Sequence, residues 1–223
     1  DYNSLPVRDP YQDLTVFILQ NGRWDNAIKD FKPTFVNNTE LSYPKDGSNV
    51  FLGGNEFRQF NTKTYKYLPD HIKTIKSNGL HYVYTLQNDQ PRRFLDYSKT
   101  GDLNGKYAIN NDVNKDVDIS SDYVEVLFQL AYDDLEAMGN IYLFGALTNW
   151  EINDDAKMIY DNEKHAYTKS LLLKQGMYDY QYAYIDNLTK TIDCTYEENS
   201  HYETQNEYLI FVYFHDISTN YDG

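Results

Sequence analysis

The densest group of metal-ligating side chains is the stretch EENSHYE near the end of the chain. It brings together Glu197, Glu198, His201 and Glu203, and carboxylate and imidazole groups are ligands that zinc accepts. The other histidines are scattered along the sequence, and none has the spacing of a helix or hairpin ligand pair. A solvated polar loop explains this stretch better than a metal centre does. We therefore predict that these residues hold no metal.

A second candidate site is the run DVNKDVD, where Asp112, Asn114 and Asp116 have the one-three-five spacing of a calcium-binding loop. Two further positions do not fit that chemistry. Val117 stands where the sharp turn needs glycine, and Tyr123 stands where a bidentate glutamate belongs. The sequence therefore argues against an EF-hand. It leaves open only weak calcium binding by this segment.

The sequence contains no recognisable catalytic motif. It lacks G-x-S-x-G, a P-loop and a glycine-rich dinucleotide pattern after a strand. Cys194 is the only cysteine, and no activating base lies near it in the sequence, which favours an inert thiol. Carboxylates are so frequent that choosing two of them as a glycosidase pair would be arbitrary. We predict a non-enzymatic protein with no catalytic residue and no cofactor.

Two tryptophans in polar turns are the best candidates for binding. In GRWDNAI, Arg23 and Asp25 flank Trp24, so that a ring lies between a cation and an anion. In IYLFGALTNW, Asn149 and Trp150 follow a strand and a short polar turn. Because Trp and Arg are enriched at binding hot spots, we take the two rings and their neighbours Arg23 and Asn149 as candidate binding residues. The competing interpretation is that each ring packs within its own domain.

The block GGNEFRQF also carries charged and aromatic side chains at strand spacing. Glu56 and Arg58 fall on one face and could pair, which predicts a solvated surface pair. Phe57 and Phe60 are expected to anchor the segment inward.

The charge balance excludes two classes of partner. Among 223 residues, 20 Lys and Arg stand against 34 Asp and Glu, which gives a formal net charge of −14. This charge repels nucleic-acid phosphates and anionic lipid surfaces. No apolar run approaches the ~18 residues that a membrane-spanning helix needs. We expect neither nucleic-acid binding nor direct insertion into a membrane.

The elements that must position these residues are strands. Seven runs are rich in β-branched and aromatic residues and are separated by turn pairs such as Asn-Gly. These runs are residues 14–20, 81–87, 123–132, 141–147, 167–173, 177–185 and 208–214. Many short strands with regular turns are typical of β-sandwiches. We therefore predict an all-β chain.

A boundary between two domains is predicted in the polar, charge-rich segment 108–122. It separates two halves that are each near the usual size of a domain. We predict one β-sandwich over residues 1–115, a linker over 116–122, and a second β-sandwich over 123–223.

The run 177–185, MYDYQYAYI, places four tyrosines on one face because strand side chains alternate. These are Tyr178, Tyr180, Tyr182 and Tyr184. Four rings on one face could form a stacking surface for sugar. The favoured interpretation is that they line the core, with their hydroxyl groups reaching its rim.

The second half of the chain resembles the glycogen-binding modules, which have early-set, immunoglobulin-like folds. The resemblance lies in IYLFGALTNW, KMIYDNEKHAYTKSLLL and KQGMYDYQYAYID. Members that bind sugar use the tryptophan of Asn-Trp, a second tryptophan and a lysine. Here Trp150 matches the first, Gln181 stands in place of the lysine, and residues 187–193 contain no second tryptophan. The resemblance implies an early-set-like fold for this half of the chain. It also suggests an alternative function, a carbohydrate-binding module that uses Trp150 and the 177–185 hairpin.

Blocks from the first residues to the last resemble the plug proteins of the type IX secretion system, a bacterial family long uncharacterised. The matching blocks are VRDPYQDLTVFILQNGRWDNAI, NVFLGGNEFRQFNTKTYKY, DLNGKY, FGALTNW and ETQNEYLIFVYFHDISTNYDG. The resemblance implies a periplasmic protein of β-sandwich modules that caps the outer-membrane translocon barrel. Members usually carry a further N-terminal sandwich domain and a signal peptide, so Asp1 is expected to lie inside a longer chain.

The leading hypothesis is therefore a non-enzymatic periplasmic binding module that blocks the secretion translocon through protein–protein contact. The corresponding fold is two tandem domains, immunoglobulin-like over 1–115 and early-set-like over 123–223.

Overall fold

The computed structural model describes residues 2–113, 116–133, 135, 138–216 and 221–222. Asn114 of the candidate calcium loop lies outside these residues. Within them, strands dominate, and the helices are three four-residue α-helical turns and one 3-10 turn. The prediction of an all-β chain is confirmed. None of the described helices is long and apolar enough to cross a membrane.

The predicted strands are present. In chain order the strands are β1 (Leu14–Gln20), β2 (Phe35–Asn37), β3 (Glu40–Ser42), β4 (Arg58–Asn61), β5 (Ile72–Ser77), β6 (Tyr82–Leu86), β7 (Tyr107–Ile109), β8 (Tyr123–Ala131), β9 (Gly139–Phe144), β10 (Ile159–Asp161), β11 (Ala166–Lys174), β12 (Gly176–Asp186), β13 (Ile192–Asp193), β14 (Tyr208–Asp216) and β15 (Tyr221–Asp222). The helices are α1 (Pro10–Asp13), α2 (Val117–Ser120) and α3 (Thr195–Glu198), and the 3-10 turn is Ala146–Thr148. Each of the seven runs predicted from the sequence overlaps one of these strands.

The chain divides into two compact units, but not at the predicted boundary. Unit 1 consists of residues 1–52 and 206–223, and unit 2 consists of residues 53–205. The predicted linker 116–122 lies inside unit 2, because β6 before it pairs in parallel with β8 after it. Likewise β7 before it pairs with β12 after it. The polar segment is therefore a crossover between strands of one unit.

Unit 1 is built on the antiparallel pairing of β1 with β14, beyond which β15 pairs with β14. Every residue of β1 takes part, from Leu14 opposite Phe214 to Gln20 opposite Tyr208. Strands β2 and β3 form a separate hairpin. The side chains of β1 are buried or half-buried, whereas most of those of β14 are exposed. Unit 1 therefore presents apolar strand residues at its surface.

Unit 2 contains two main sheets that share one core. One sheet has the strand order β10-β11-β8-β6-β5, and the other is centred on β12, which pairs with β4, β7, β9 and β13. The buried core residues come from both sheets and include Phe60, Tyr84, Leu86, Val124, Val126, Phe128, Leu130, Ile141, Leu143, Tyr178, Tyr180 and Tyr182. Phe60 of β4 meets Phe128 of β8 edge-on, with 5.4 Å between ring centroids. The predicted inward position of Phe57 and Phe60 is confirmed, since both are buried.

Candidate functional site

Unit 1 carries a cluster of four aromatic rings, which we call the Trp24 surface: Phe17, Trp24, Phe211 and Tyr213. The Trp24 ring stacks on Phe211, with 5.8 Å between centroids and 22° between planes. Phe17 meets Trp24 edge-on at 5.8 Å and Tyr213 edge-on at 5.5 Å. Phe17 and Phe211 are direct partners across β1 and β14, so the sheet register fixes their positions.

The turn before Trp24 is anchored to the start of β14. Asn21 and Gly22 adopt positive φ angles of 57° and 72°, and the Asn21 N–H donates to the Glu207 carbonyl at 2.7 Å. Arg23 is buried, and its guanidinium donates to both carboxylate oxygens of Asp25 at 3.1 and 2.6 Å. Arg23 therefore holds the turn that presents the ring, and it is not an exposed cation.

The Trp24 surface is open to solvent. Trp24 is 48% exposed and Tyr213 is 45% exposed. A depression of about 310 Å³ lies beside the ring and is lined by Thr15, Phe17, Trp24 and Tyr213. These lining residues are uncharged, so the surface beside the Trp24 ring is apolar and aromatic.

Trp150 of unit 2 packs inward. Its ring meets Phe144 edge-on at 5.3 Å and Phe57 edge-on at 6.0 Å. A methyl group at Gly105 would lie 2.3 Å from Cη2 of Trp150, so the absence of a side chain there makes room for the indole. Asn149 precedes the ring in a left-handed conformation, with φ of 55°, and is exposed. Of this candidate pair, Asn149 is exposed and Trp150 is half-buried.

The tyrosines of β12 line the core, as the favoured interpretation predicted, but the hydroxyl groups of Tyr180 and Tyr182 are buried and do not reach its rim. Tyr178, Tyr180, Tyr182 and Tyr184 are all buried. The hydroxyl groups of Tyr180 and Tyr182 donate to one carboxylate oxygen of Asp89, at 2.7 and 2.6 Å. These rings satisfy a buried acid and do not form an accessible stacking surface.

Asp89 belongs to a buried network of charged side chains centred on Arg58. The Arg58 guanidinium donates to Asp89 at 2.8 Å and to Glu198 at 2.9 Å. Arg92 also donates to Glu198, at 2.6 Å. All four side chains lie in unit 2, and Asp89 and Glu198 are almost fully removed from solvent. Because an unpaired charge is costly in the protein interior, loss of any one partner is expected to destabilise the fold.

The network shifts the pKa values of Asp89 and Arg58. Burial on its own would raise the pKa of Asp89, but the hydrogen bond from His71 and the charge of Arg58 together lower it to about 2. Burial would lower the pKa of Arg58, and the charges of Glu198 and Asp89 raise it above its ordinary value instead. Asp89 and Arg58 therefore remain ionised at neutral pH.

Two predictions about these residues are wrong. The stretch that begins at Glu197 was expected to be a solvated loop, but Glu197 and Glu198 are buried, and Glu197 pairs with Arg93 at 2.6 Å. Arg58 and Glu56 were expected to form a surface pair, but Arg58 belongs to the buried network, and buried Glu56 accepts from the hydroxyl of Tyr97 at 2.5 Å. In the part of the chain that the structure describes, no group of three or more His, Cys, Asp or Glu side chains could hold a metal ion.

A further buried acid, Asp179, holds the loop that leads into β7. One oxygen of Asp179 accepts from the N–H groups of Leu103 at 2.5 Å and Gly105 at 3.1 Å, and the other accepts from the Gln59 amide at 2.9 Å. Burial raises the pKa of Asp179 to about 6, although these hydrogen bonds lower it, and the nearby charge of Asp102 raises it further.

We expect the stability of Asp179→Asn relative to the wild type to increase by about 2 kcal/mol as the pH rises from about 4 to about 7. The pKa in the folded state lies above the ordinary value of 3.8, so the folded wild type binds the proton more tightly than the unfolded chain. This contribution to stability is present below about pH 4 and is lost as the pH rises through 6. Urea denaturation of both proteins across this range measures the difference. Parallel pH profiles would contradict the prediction.

The candidate binding residues lie in two different units. Arg23 and Trp24 belong to unit 1, whereas Asn149 and Trp150 belong to unit 2. The sequence did not identify the aromatic partners of Trp24, because they lie on β1 and β14. The signal that could have found them is the alternation of large rings in the run 208–214.

No protein-family model matches the sequence, and no match is found among curated proteins. The chain is similar to the crystal structure of a hypothetical protein from Parabacteroides merdae ATCC 43184, with a TM-score of 0.89 and 34% sequence identity. The match covers 99% of this chain and 55% of that one. This chain therefore spans little more than half the length of the solved protein that it resembles.

Proposed function

We propose that this chain is a non-enzymatic binding module that acts through protein–protein contact at the Trp24 surface. The observation that carries the proposal is the exposed Trp24 ring, stacked on Phe211 and held by the Arg23–Asp25 ion pair beneath its turn. Large aromatic rings on a rigid support are typical of binding hot spots, because little side-chain freedom is lost on association. Exposed apolar patches of this kind mark interaction sites.

The partner that we propose is the outer-membrane translocon barrel of the type IX secretion system, and the location that we propose is the periplasm. The support is the sequence resemblance to the plug proteins, because two of its blocks meet at the Trp24 surface. Residues 7–28 supply Phe17 and Trp24, and residues 203–223 supply Phe211 and Tyr213.

For unit 2 we propose an early-set-like, immunoglobulin-like β-sandwich. Two sheets with one shared core support this assignment, as does the resemblance of residues 141–186 to the glycogen-binding modules. Carbohydrate binding through Trp150 and the 177–185 hairpin is the weaker proposal, because those rings contact other side chains of unit 2.

The test is recovery of the translocon barrel from detergent-solubilised outer membranes by the tagged full-length protein. We expect the wild type to retain the barrel and Trp24→Ala to bind it at least about tenfold more weakly, since a central ring is lost. Tyr202→Ala removes a tyrosine ring of unit 2 that is 93% exposed, and it should bind like the wild type. Repeated failure of the wild type to retain the barrel would refute the partner. Equal binding by Trp24→Ala would refute the surface.

A further inference from the structure

We propose that β14 of unit 1 binds an extended, uncharged strand of a partner protein along its outer edge, the edge that faces away from β1. The contact proposed above lies on one face of the β1–β14 pair and is made by side chains. This inference concerns the backbone at the edge of the same pair. It rests on the proposed function only in taking the partner to be a protein.

The hydrogen bonds of β1 fix which backbone groups of β14 point outward. The N–H and carbonyl groups of Ile18 pair with Ile28, so they point away from β14. Residues directly opposite each other in an antiparallel pair either exchange both backbone hydrogen bonds or exchange none. Ile18 lies opposite Ile210, so the backbone groups of Ile210 point to the outer edge. Because direction alternates along a strand, those of Tyr208 and Val212 point the same way.

The outer edge is free over these three residues. Among the residues that the structure describes, none forms a hydrogen bond with their outward backbone groups. Strand β15 occupies the same edge only further along, at His215 and Asp216. Tyr208, Ile210 and Val212 are 52%, 66% and 55% exposed. The edge therefore has room for a strand of about five residues, whose backbone would pair with the free N–H and carbonyl groups.

The edges of one sheet in unit 2 carry features that prevent strand pairing. Strand β5 ends the sheet β10-β11-β8-β6-β5 and carries two exposed lysines, Lys73 and Lys76. Its pairing with β6 also shifts register between Ile72 and Thr74. At the other end of this sheet, β10 has only three residues. Charged side chains, bulges and short strands all protect an edge from further pairing.

The outer edge of β14 lacks these features. Residues 208–214, YLIFVYF, include no charged residue and no proline. Their pairing with β1 runs without a shift of register from one end to the other. A long, regular and apolar edge is the form to which a partner adds a strand.

The side chains of β14 indicate the composition of the incoming strand. Alternate side chains of that strand would lie beside Ile210 and Val212 on one face. On the other face they would lie beside Phe211 and Tyr213, which belong to the Trp24 surface. Because none of these four residues is charged, β-branched and aromatic residues on both faces of the incoming strand match the edge.

A second copy of this chain is the competing occupant. Each copy carries a formal net charge of −14, so two copies repel each other. A neutral or basic protein does not meet this repulsion, which favours a different partner over self-association.

The experiment is an NMR titration of the isotope-labelled protein with a peptide of alternating valine and threonine, about seven residues long, which forms a minimal uncharged strand. We expect a Kd of about 0.1–1 mM, since a short peptide loses much freedom when it pairs. The amide signals of Tyr208, Ile210 and Val212 should shift most, because their N–H groups gain partners. The same peptide with proline at its centre should not bind.

Ile210→Pro tests the backbone and leaves the ladder between β1 and β14 intact. It removes an N–H that no described residue accepts, and it places a ring at the outer edge, so unit 1 should stay folded. We expect it to bind the peptide at least about tenfold more weakly. Ile210→Thr keeps the N–H and a β-branched side chain, and it should stay within about threefold of the wild type. Val212→Pro repeats the test two residues along, and the amide spectrum confirms that each variant is folded.

Four results would overturn the proposal. The first is no binding of the peptide at about 2 mM. The second is unchanged affinity in the folded proline variants. The third is loss of binding in Trp24→Ala but not in Ile210→Pro, which would place the peptide on the Trp24 surface. The fourth is sedimentation of the wild type as a dimer that Ile210→Pro dissociates, which would make a second copy the occupant.

This experiment does not involve the translocon barrel. Failure of the barrel to bind would therefore refute the proposed partner and leave the result at the outer edge standing.

Discussion

Replacing Arg58 by alanine is expected to lower the free energy of unfolding by about 3–5 kcal/mol. The substitution leaves Asp89 without its closest cation and removes one of the two arginines that hold Glu198. Both carboxylates are buried, so water does not replace the lost charge. Urea denaturation at neutral pH measures the change.

The matched control for Arg58→Ala is Lys66→Ala. Lys66 also faces an aspartate, Asp112, but at 3.8 Å, and its side chain is exposed. An exposed pair of this kind contributes about 1 kcal/mol or less. If the two variants lost the same stability, the buried network would contribute no more than a surface ion pair, and the prediction would be wrong.

Gly105→Ala is expected to destabilise the protein by about 3 kcal/mol, from backbone strain and overpacking together. Gly105 has a φ of +77°, a conformation that alanine rarely adopts. The added methyl group would also lie 2.3 Å from the Trp150 ring and 2.7 Å from the Phe57 ring. Thermal and urea denaturation measure the loss.

Gly79→Ala separates the two causes. Gly79 has a similar φ of +89°, but a methyl group there would meet nothing within 4 Å. It should therefore cost about 1 kcal/mol, from strain alone. The difference between the variants reports how firmly Trp150 is packed. Equal losses would mean that the Trp150 ring moves aside freely, as a surface ring would.

Local sequence signals predicted the strands well. The run LTVFILQ coincides with β1, and MYDYQYAYI lies within β12, because β-branched and aromatic residues favour the extended backbone wherever the strand packs. The alternation of tyrosines in β12 also predicted which face lines the core, since side-chain direction follows from the period of two.

The pairing of strands could not be predicted in the same way. The segment 108–122 has the composition of a linker, yet β6 and β8 on either side of it are neighbours in one sheet. A parallel pair needs a long crossover connection, and such a connection has the same polar composition as a linker between domains. Which distant strands pair with one another depends on how their side chains pack. The amino-acid composition of a segment does not reveal that packing.

The buried network was missed for a related reason. Glu198 is 140 residues from Arg58 and 106 residues from Arg92 in the sequence. Its neighbours in EENSHYE are polar, which is typical of a solvated loop. A carboxylate can be predicted to be buried only when the cation that pairs with it is known. Here the cations come from distant parts of the chain, and only the fold brings them to Glu198.

The pairing of β1 with β14 has a consequence for the order of folding. Gln20 and Tyr208 are 188 residues apart, and the whole of unit 2 is synthesised between them. This separation is far longer than the loops of the hairpins inside unit 2, such as β5–β6 and β10–β11. Closing it costs more chain entropy, so we expect unit 1 to close after unit 2. Until β14 arrives, β1 has an unpaired edge that could pair with a strand of another molecule.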